Sequence, residues 1–280
     1  FSWDINLNYA SNINEVEELY GDLESIRLWS AWGLELQARP GEAYGTIYGY
    51  GYKRAPDGQR IVKNDGGYWN GTYAKDDTLS NLGSIQPKWT GGITNTFRIG
   101  PLSISSLIDA KIGGKIFSVT NMFGMYSGVL KETVEGNDDA TPVTGNDIRD
   151  VGGVLLDGVN MHVSDSDDTT YVTNDVAAPG HVWGWSHYGS LSGHEQNVFD
   201  ASYIKLRDIV ITYDLPQNWT KKLGIAGASI SLEGRNLLIL YKNAPHIDPE
   251  TAFSGAFIGG IEQNQTPSSR TFGTSLRIRF

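Results

Sequence analysis

Apolar residues recur at every second position in eight stretches of the chain. In the first ten residues Phe1, Trp3, Ile5, Leu7 and Tyr9 share one side while Ser2, Asp4, Asn6 and Asn8 share the other, the period of a β-strand. The pattern returns over 25–38, where Ile26, Leu28, Trp32, Leu34 and Leu36 oppose Arg27, Glu35 and Gln37, and over 44–53, where Tyr44, Tyr48, Tyr50 and Tyr52 oppose Gly45, Gly49 and Gly51. Further alternations run over 92–99, 102–116, 202–213, 228–241 and 271–280. In 202–213 the phase changes between Leu206 and Ile209, which predicts a β-bulge near Arg207 or Asp208.

Eight strands leave connections at 11–24, 39–43, 54–91, 100–101, 117–201, 214–227 and 242–270, alternately longer and shorter. The two shortest hold the turn formers Pro40-Gly41 and Gly100-Pro101. Long loops on one rim and short turns on the other are how outer-membrane barrels are built. The non-apolar faces carry Asp4, Arg27, Glu35, Arg98, Asp109, Lys111, Glu233, Arg277 and Arg279, which a wet lumen accommodates. The expected fold is therefore all-β: an antiparallel transmembrane β-barrel, with long extracellular loops at about 54–91, 117–201 and 242–270. Trp3, Tyr9, Trp29, Tyr44, Tyr52, Tyr213 and Tyr241 are expected at the two water–lipid boundaries. A soluble barrel leaves the same alternation, because a core inside and lipid outside demand the same period.

Composition narrows the function. The formal net charge of −10 argues against a nucleic-acid partner, which needs a basic face. The chain has no cysteine, so thiol catalysis and Cys-ligated metals are excluded. No apolar run reaches ~18 residues, and a mean hydropathy of −0.30 suits a barrel whose faces alternate. The 34 glycines among 280 residues, with 8 Trp, 14 Tyr and 9 Phe, fit strands and turns.

No catalytic constellation stands out, so no enzyme activity, cofactor or metal is expected. The five histidines lack zinc-site spacing. Asp165, Asp167 and Asp168 lack the remaining positions of a calcium loop. Gly189 to Gly193 places Leu191, not a serine, at the centre of a would-be nucleophile elbow. Asp248-Pro249-Glu250 reads as a turn lock rather than an active pair. What the loops do hold is aromatic: Tyr68 and Trp69 in one, and Trp183, Trp185 and Tyr188 with His187 in another. Such rings either stack on substrate or pack the loop's own small core.

Several segments go beyond pattern. LGSIQPKWTGGITNTF at 82–97, DASYIKLRDIVITYDLP at 200–216, the basic turn ending Leu223-Gly224-Ile225, GRNLLIL, Asp248-Pro249-Glu250 and the closing TFGTSLRIRF together resemble the C-terminal barrel portion of SusC/RagA-type TonB-dependent outer-membrane transporters. The resemblance implies a Gram-negative outer membrane, a 22-stranded barrel with a plug, a SusD-like lipoprotein lid, TonB engaged through a missing N-terminal part, and import of oligosaccharides or peptides. Neither plug nor signal peptide is legible here, and eight strands alone would leave open edges in lipid. The remaining strands and plug are expected from the rest of a larger protein. Two rival readings are a complete eight-stranded barrel acting as anchor or adhesin, and a secreted soluble β-fold that binds or cleaves glycans.

Overall fold

The computed structural model describes residues 1–133, 153–251 and 259–280. Its largest element is a six-stranded sheet whose spatial order is Ser2–Ala10, Trp89–Ile99, Leu102–Ile112, Tyr203–Asp214, Gly227–Lys242 and Thr271–Arg279. Every neighbouring pair is antiparallel. Residues paired across antiparallel strands point to the same face, so the register shows what each face presents. One row across the sheet reads Trp3, Phe97, Ile104, Ile211, Leu232 and Thr274. Beside it run Ile99, Leu102, Tyr213, Ile230 and Leu276. The opposite face carries Asp4, Thr96, Ser105, Val210, Glu233 and Gly273, then Ser2, Arg98, Ser103, Thr212, Ser231 and Ser275.

Among the described residues no second layer covers the apolar rows. Leu7 is 72% exposed, Leu276 61% and Leu232 57%, and every residue of Leu102–Ile112 is only partly buried. A water-soluble sheet of this composition would hide that face against a helix or another sheet. A wall with lipid on one side and an aqueous interior on the other accounts for both faces.

Two of the eight expected strand stretches lie outside this wall. Among the described residues the wall has six strands rather than about eight, although the antiparallel barrel-wall class stands. The stretch 25–38 is a hairpin of Ile26–Ala31 and Leu34–Ala38 turned at Trp32-Gly33, where both residues have positive φ, 54° and 84°. This is the two-residue turn whose twist suits paired strands. The hairpin continues into Thr46–Tyr52 and Lys75–Ser84 as a separate four-stranded sheet. Its alternating Leu34 and Leu36 are fully buried, together with Ile47 of the neighbouring strand: the period came from a protein core, not from lipid. Trp29, Tyr44 and Tyr52, expected at a membrane boundary, belong to this body instead.

With those strands removed, the wall connections fall at 11–88, 100–101, 113–202, 215–226 and 243–270. The expected loop starting near 54 thus begins at Ser11. The stretches 134–152 and 252–258 of the other two expected loops lie outside the described residues. The three long connections leave the same edge of the sheet and build one body. Leu34, Leu36 and Ile47 from the first, Phe117, Val119 and Met122 from the second and Ile261 from the third form its main core. Strand pairs also cross between connections: Lys115–Ser118 lies between Val198–Asp200 and Ile261–Glu262, and Ile61–Val62 pairs with Val159–Val163. Glu262 seals the junction, accepting hydrogen bonds from Ser118 Oγ at 2.9 Å, Thr120 N at 3.1 Å and Thr120 Oγ1 at 2.6 Å, at the N-terminus of helix Val119–Tyr126, where a carboxylate is favoured.

The predicted bulge is present: the register shifts between Leu206 and Asp208 against both neighbouring strands. It frees Arg207, whose Nη1 donates to Asn236 Oδ1 at 3.1 Å and Glu250 Oε2 at 2.8 Å, and whose Nη2 pairs with Asp109. Lys205 Nζ holds both oxygens of Asp248, at 2.6 and 2.8 Å, and Glu250 Oε2 at 2.6 Å. Asp248-Pro249-Glu250 is a lock, joining the 243–270 connection to the wall. Three of the segments that carry the family resemblance, those of Lys205 and Arg207, of Asn236, and of Asp248 and Glu250, thus meet in one polar network.

Candidate substrate-contact surface

The loop body holds two groups of aromatic side chains, separated by the short helix Gly180–Ser186. Residues four apart on a helix share a side, and here the two sides differ. His181 and Trp185 look one way and are joined by Tyr188; Trp183 and His187 look the other.

On the first side, Trp185 has its ring centroid 6.3 Å from Tyr68 and 6.3 Å from Tyr126. Tyr126 lies 4.8 Å from Tyr188, and Tyr68 meets Trp69 edge-on at 5.0 Å. Tyr68, Tyr126, Trp185 and Tyr188 are all exposed. The structure therefore brings Tyr68, Trp69, Trp185 and Tyr188 together on one surface, and adds Tyr126 from helix Val119–Tyr126, which sequence reasoning missed because helix and loop are far apart in the chain.

The second side faces an open cavity of about 950 Å³ between the 11–88 and 113–202 connections. Trp183 and His187 line it with Tyr52, Arg54, Arg60, Tyr73, Asp76, Lys115 and Glu195. His187 is buried, donates from Nδ1 to Trp183 O at 3.0 Å, and meets the Trp183 ring edge-on at 5.4 Å. Burial pushes its imidazole down to about 4, so it stays neutral and acts mainly as packing. Of the six candidates, it is the one whose surroundings favour the bland reading.

His194-Glu195 shapes the cavity wall. Strand Thr46–Tyr52 outruns its partner Leu34–Ala38, whose pairing stops at Tyr48. The unpaired N–H of Tyr50 donates to His194 Nδ1 at 2.9 Å and that of Tyr52 to Glu195 Oε2 at 3.2 Å. Since Nδ1 accepts, Nε2 carries the proton and donates to Trp32 O at 2.8 Å, gripping the strained Trp32-Gly33 turn. Burial lowers the His194 pKa, which keeps this tautomer in place. Glu195 also pairs with Arg54 at 2.5 Å. Burial raises the Tyr52 phenol far above its usual range, so it remains uncharged.

Among the described residues no group of three or more His, Cys, Asp or Glu side chains is arranged to hold a metal ion. Asp165, Asp167 and Asp168 form a turn between Val159–Val163 and Thr169–Thr173, closed by Asp168 N to Ser164 Oγ at 3.1 Å and Ser166 Oγ to Asp168 Oδ2 at 2.9 Å.

No protein-family model matches the chain. A curated protein, the TonB-dependent receptor P3 of Formosa agariphila, is 24% identical over 306 aligned residues, covering 100% of this chain. The chain resembles part of a TonB-dependent receptor. It spans 27% of that relative's length. Solved structures of the RagAB peptide transporter match 99% of the chain at 20% identity with a TM-score of 0.59, and in the "open-open" state at 16% identity with 0.58. In each case the match covers 27% of the RagAB chain. At these identities the likeness establishes the fold: the six-stranded sheet is a segment of a RagA-like barrel wall, and its two open edges are those of a partial barrel. These relatives are described as a receptor and as a peptide importer.

Proposed function

We propose that this chain is the wall segment and loop cap of an outer-membrane importer that takes up oligosaccharides or peptides with TonB-derived energy and a SusD-like surface lipoprotein. The observation that carries this reading is the continuous apolar face: five of the six strands present Trp3, Phe97, Ile104, Ile211 and Leu232 in one uncovered row, while mostly charged and hydroxyl side chains occupy the other face. That arrangement supports a lipid-facing wall with an aqueous interior. The similarity to TonB-dependent receptor P3 and to the RagAB peptide importer supports the direction of transport and the outer membrane of a Gram-negative cell as the place.

In this reading the loop body meets substrate at the outer rim. The exposed rings of Tyr68, Trp185 and Tyr188, with Trp69 beside them, offer flat apolar faces, and Trp183 and His187 border the adjoining cavity. The plug and remaining strands belong to the rest of the protein. The test is uptake of labelled oligosaccharides and peptides by cells carrying the full-length protein, with and without TonB. Accumulation only with TonB is expected. Equal accumulation in both, or none in either, would refute an energised importer, and a chain that purifies from the soluble fraction without detergent would restore the secreted β-fold.

A further inference from the structure

We propose that the cavity beside helix Gly180–Ser186 is a receptor for a carboxylate carried by the ligand, with Arg60 as its anchor; this deepens the importer reading and rests on it.

The guanidinium of Arg60 is 5.2 Å from the ring centroid of Tyr52 and 5.3 Å from that of Tyr73. Those two rings themselves lie 4.5 Å apart, so the cation is set against a fixed aromatic corner. Its hydrogen bond to protein is a long one, Nη1 to Tyr73 Oη at 3.4 Å. Arginine has five N–H donors in a planar fork, and among the described residues no carboxylate lies within ion-pair distance of this one. Of the other cations of the 11–88 connection, Arg54 is paired with Glu195, Lys53 with Asp77 and Arg27 with Glu35, while Arg39, Lys63 and Lys75 sit over the rings of Tyr48, Trp69 and Tyr50 and, like Lys88, do not line this cavity. A half-buried, aromatic-braced arginine with free donors on an open cavity has the geometry that takes a carboxylate through two parallel hydrogen bonds.

The charges around it agree. Arg54 and Glu195 cancel. That leaves Arg60 and Lys115 as cations on the lining against one acid, Asp76, whose Oδ1 is already engaged by the N–H of Asp77 at 2.7 Å. Lys115 has no ion pair among the described residues. In a chain of net charge −10, this cavity is locally cationic. Trp183 contributes an apolar wall for whatever ring or chain carries the carboxylate. Two ligand sources share this chemistry: a uronate sugar and the C-terminus or acidic side chain of a peptide.

The experiment uses the full-length protein in nanodiscs and isothermal titration with two matched pairs. One pair is trigalacturonate and its methyl ester; the other is Ala-Ala-Ala with a free and with an amidated C-terminus. The charged member of at least one pair is expected to bind about tenfold tighter than its neutral twin. Arg60→Gln should abolish that preference, Arg60→Lys should restore part of it, and Lys115→Gln should reduce it. Which pair shows the effect identifies the source. The wild-type preference should also shrink as salt rises from 50 to 500 mM, a readout that does not depend on any variant folding. Equal binding of both members of both pairs, no binding of any of the four, or a preference that survives Arg60→Gln overturns the proposal. TonB-dependent uptake by wild-type cells that shows no preference for the charged member of either pair would leave the importer standing and remove only the carboxylate receptor.

Discussion

Both carboxylate oxygens of Asp248 bind the Lys205 ammonium, with side chains only 3% and 2% exposed. One residue is on the wall and the other on the 243–270 connection, so the pair decides how that connection seats. Removing one partner of a buried pair strands the other, at a cost of roughly 3–5 kcal/mol. Glu250 and Ser268 remain near Lys205, which places Asp248→Ala near the lower end. Limited proteolysis of the full-length protein should show faster cleavage within 243–270 for Asp248→Ala, and slower cleavage again when Lys205→Met is added. Burial raises the Asp248 carboxyl, but the Lys205 ammonium, the Ser268 hydroxyl and the Glu250 N–H outweigh it and hold the group below its usual 3.8. A lowered carboxylate stabilises above its unfolded value and loses that contribution as pH falls through the folded one. The clamp should therefore hold at pH 5 and release only in stronger acid.

His187 gives the opposite experiment, one with an effect in mild acid. Its imidazole is driven from 6.5 to about 4 by burial, only partly countered by hydrogen bonds to Trp183 and Gly184. Between those two values the unfolded loop body binds a proton that the folded one refuses. Stability from this group is complete above 6.5 and declines as pH drops toward 4, by at most ~3 kcal/mol. Urea titrations followed by tryptophan fluorescence should show the loss at pH 4.5 relative to pH 7.5. His187→Phe should flatten the difference, and an unchanged slope in that variant would assign the pH effect elsewhere.

The sequence made the wall strands legible because lipid enforces a strict period of two over nine or more residues, and because the bulge at Arg207 disturbs the phase of Ile204 and Leu206 against Ile209. It misplaced Leu34 and Leu36 for the same physical reason: a half-buried sheet in a loop body produces the same period as a lipid-facing wall. Trp32-Gly33 was the available clue, since a bulky residue followed by glycine inside a long alternating run marks a turn. The candidate surface was half legible. Aromatic residues in loops are visible as composition, but whether Trp183 and Trp185 face one site or two depends on a helix of seven residues whose phase is set by its packing. Arg60 carried no signal at all, because its lack of a carboxylate partner among the described residues is a fact of three dimensions.

Trp183 and Trp185 should separate by mutation. Trp185 is exposed on the aromatic surface, so Trp185→Ala should leave stability nearly unchanged while weakening oligosaccharide capture by about 0.5–1.5 kcal/mol, the scale of one ring contact. Trp183 packs on His187 as well as lining the cavity, so Trp183→Ala should lower the urea midpoint as well as capture. Parental binding in both variants would retire the aromatic surface as a contact site.

The last prediction tests the assignment of the sheet's two faces. Leu276 pairs with Ile230 on the apolar face, while its neighbour Ser275 pairs with Ser231 on the polar one. An arginine placed toward hydrocarbon costs ~2–4 kcal/mol near the bilayer middle, whereas lumen positions tolerate charge. Leu276→Arg should therefore lower the folded fraction of the full-length protein refolded into lipid vesicles, read by heat-modifiable gel mobility, and Ser275→Arg one position earlier should not. The two substitutions add the same side chain to the same strand, so propensity and net charge are matched and only the face differs. If Ser275→Arg proves the damaging one, the polar face meets lipid and the wall has been read inside out; if both are silent, no lipid touches this strand.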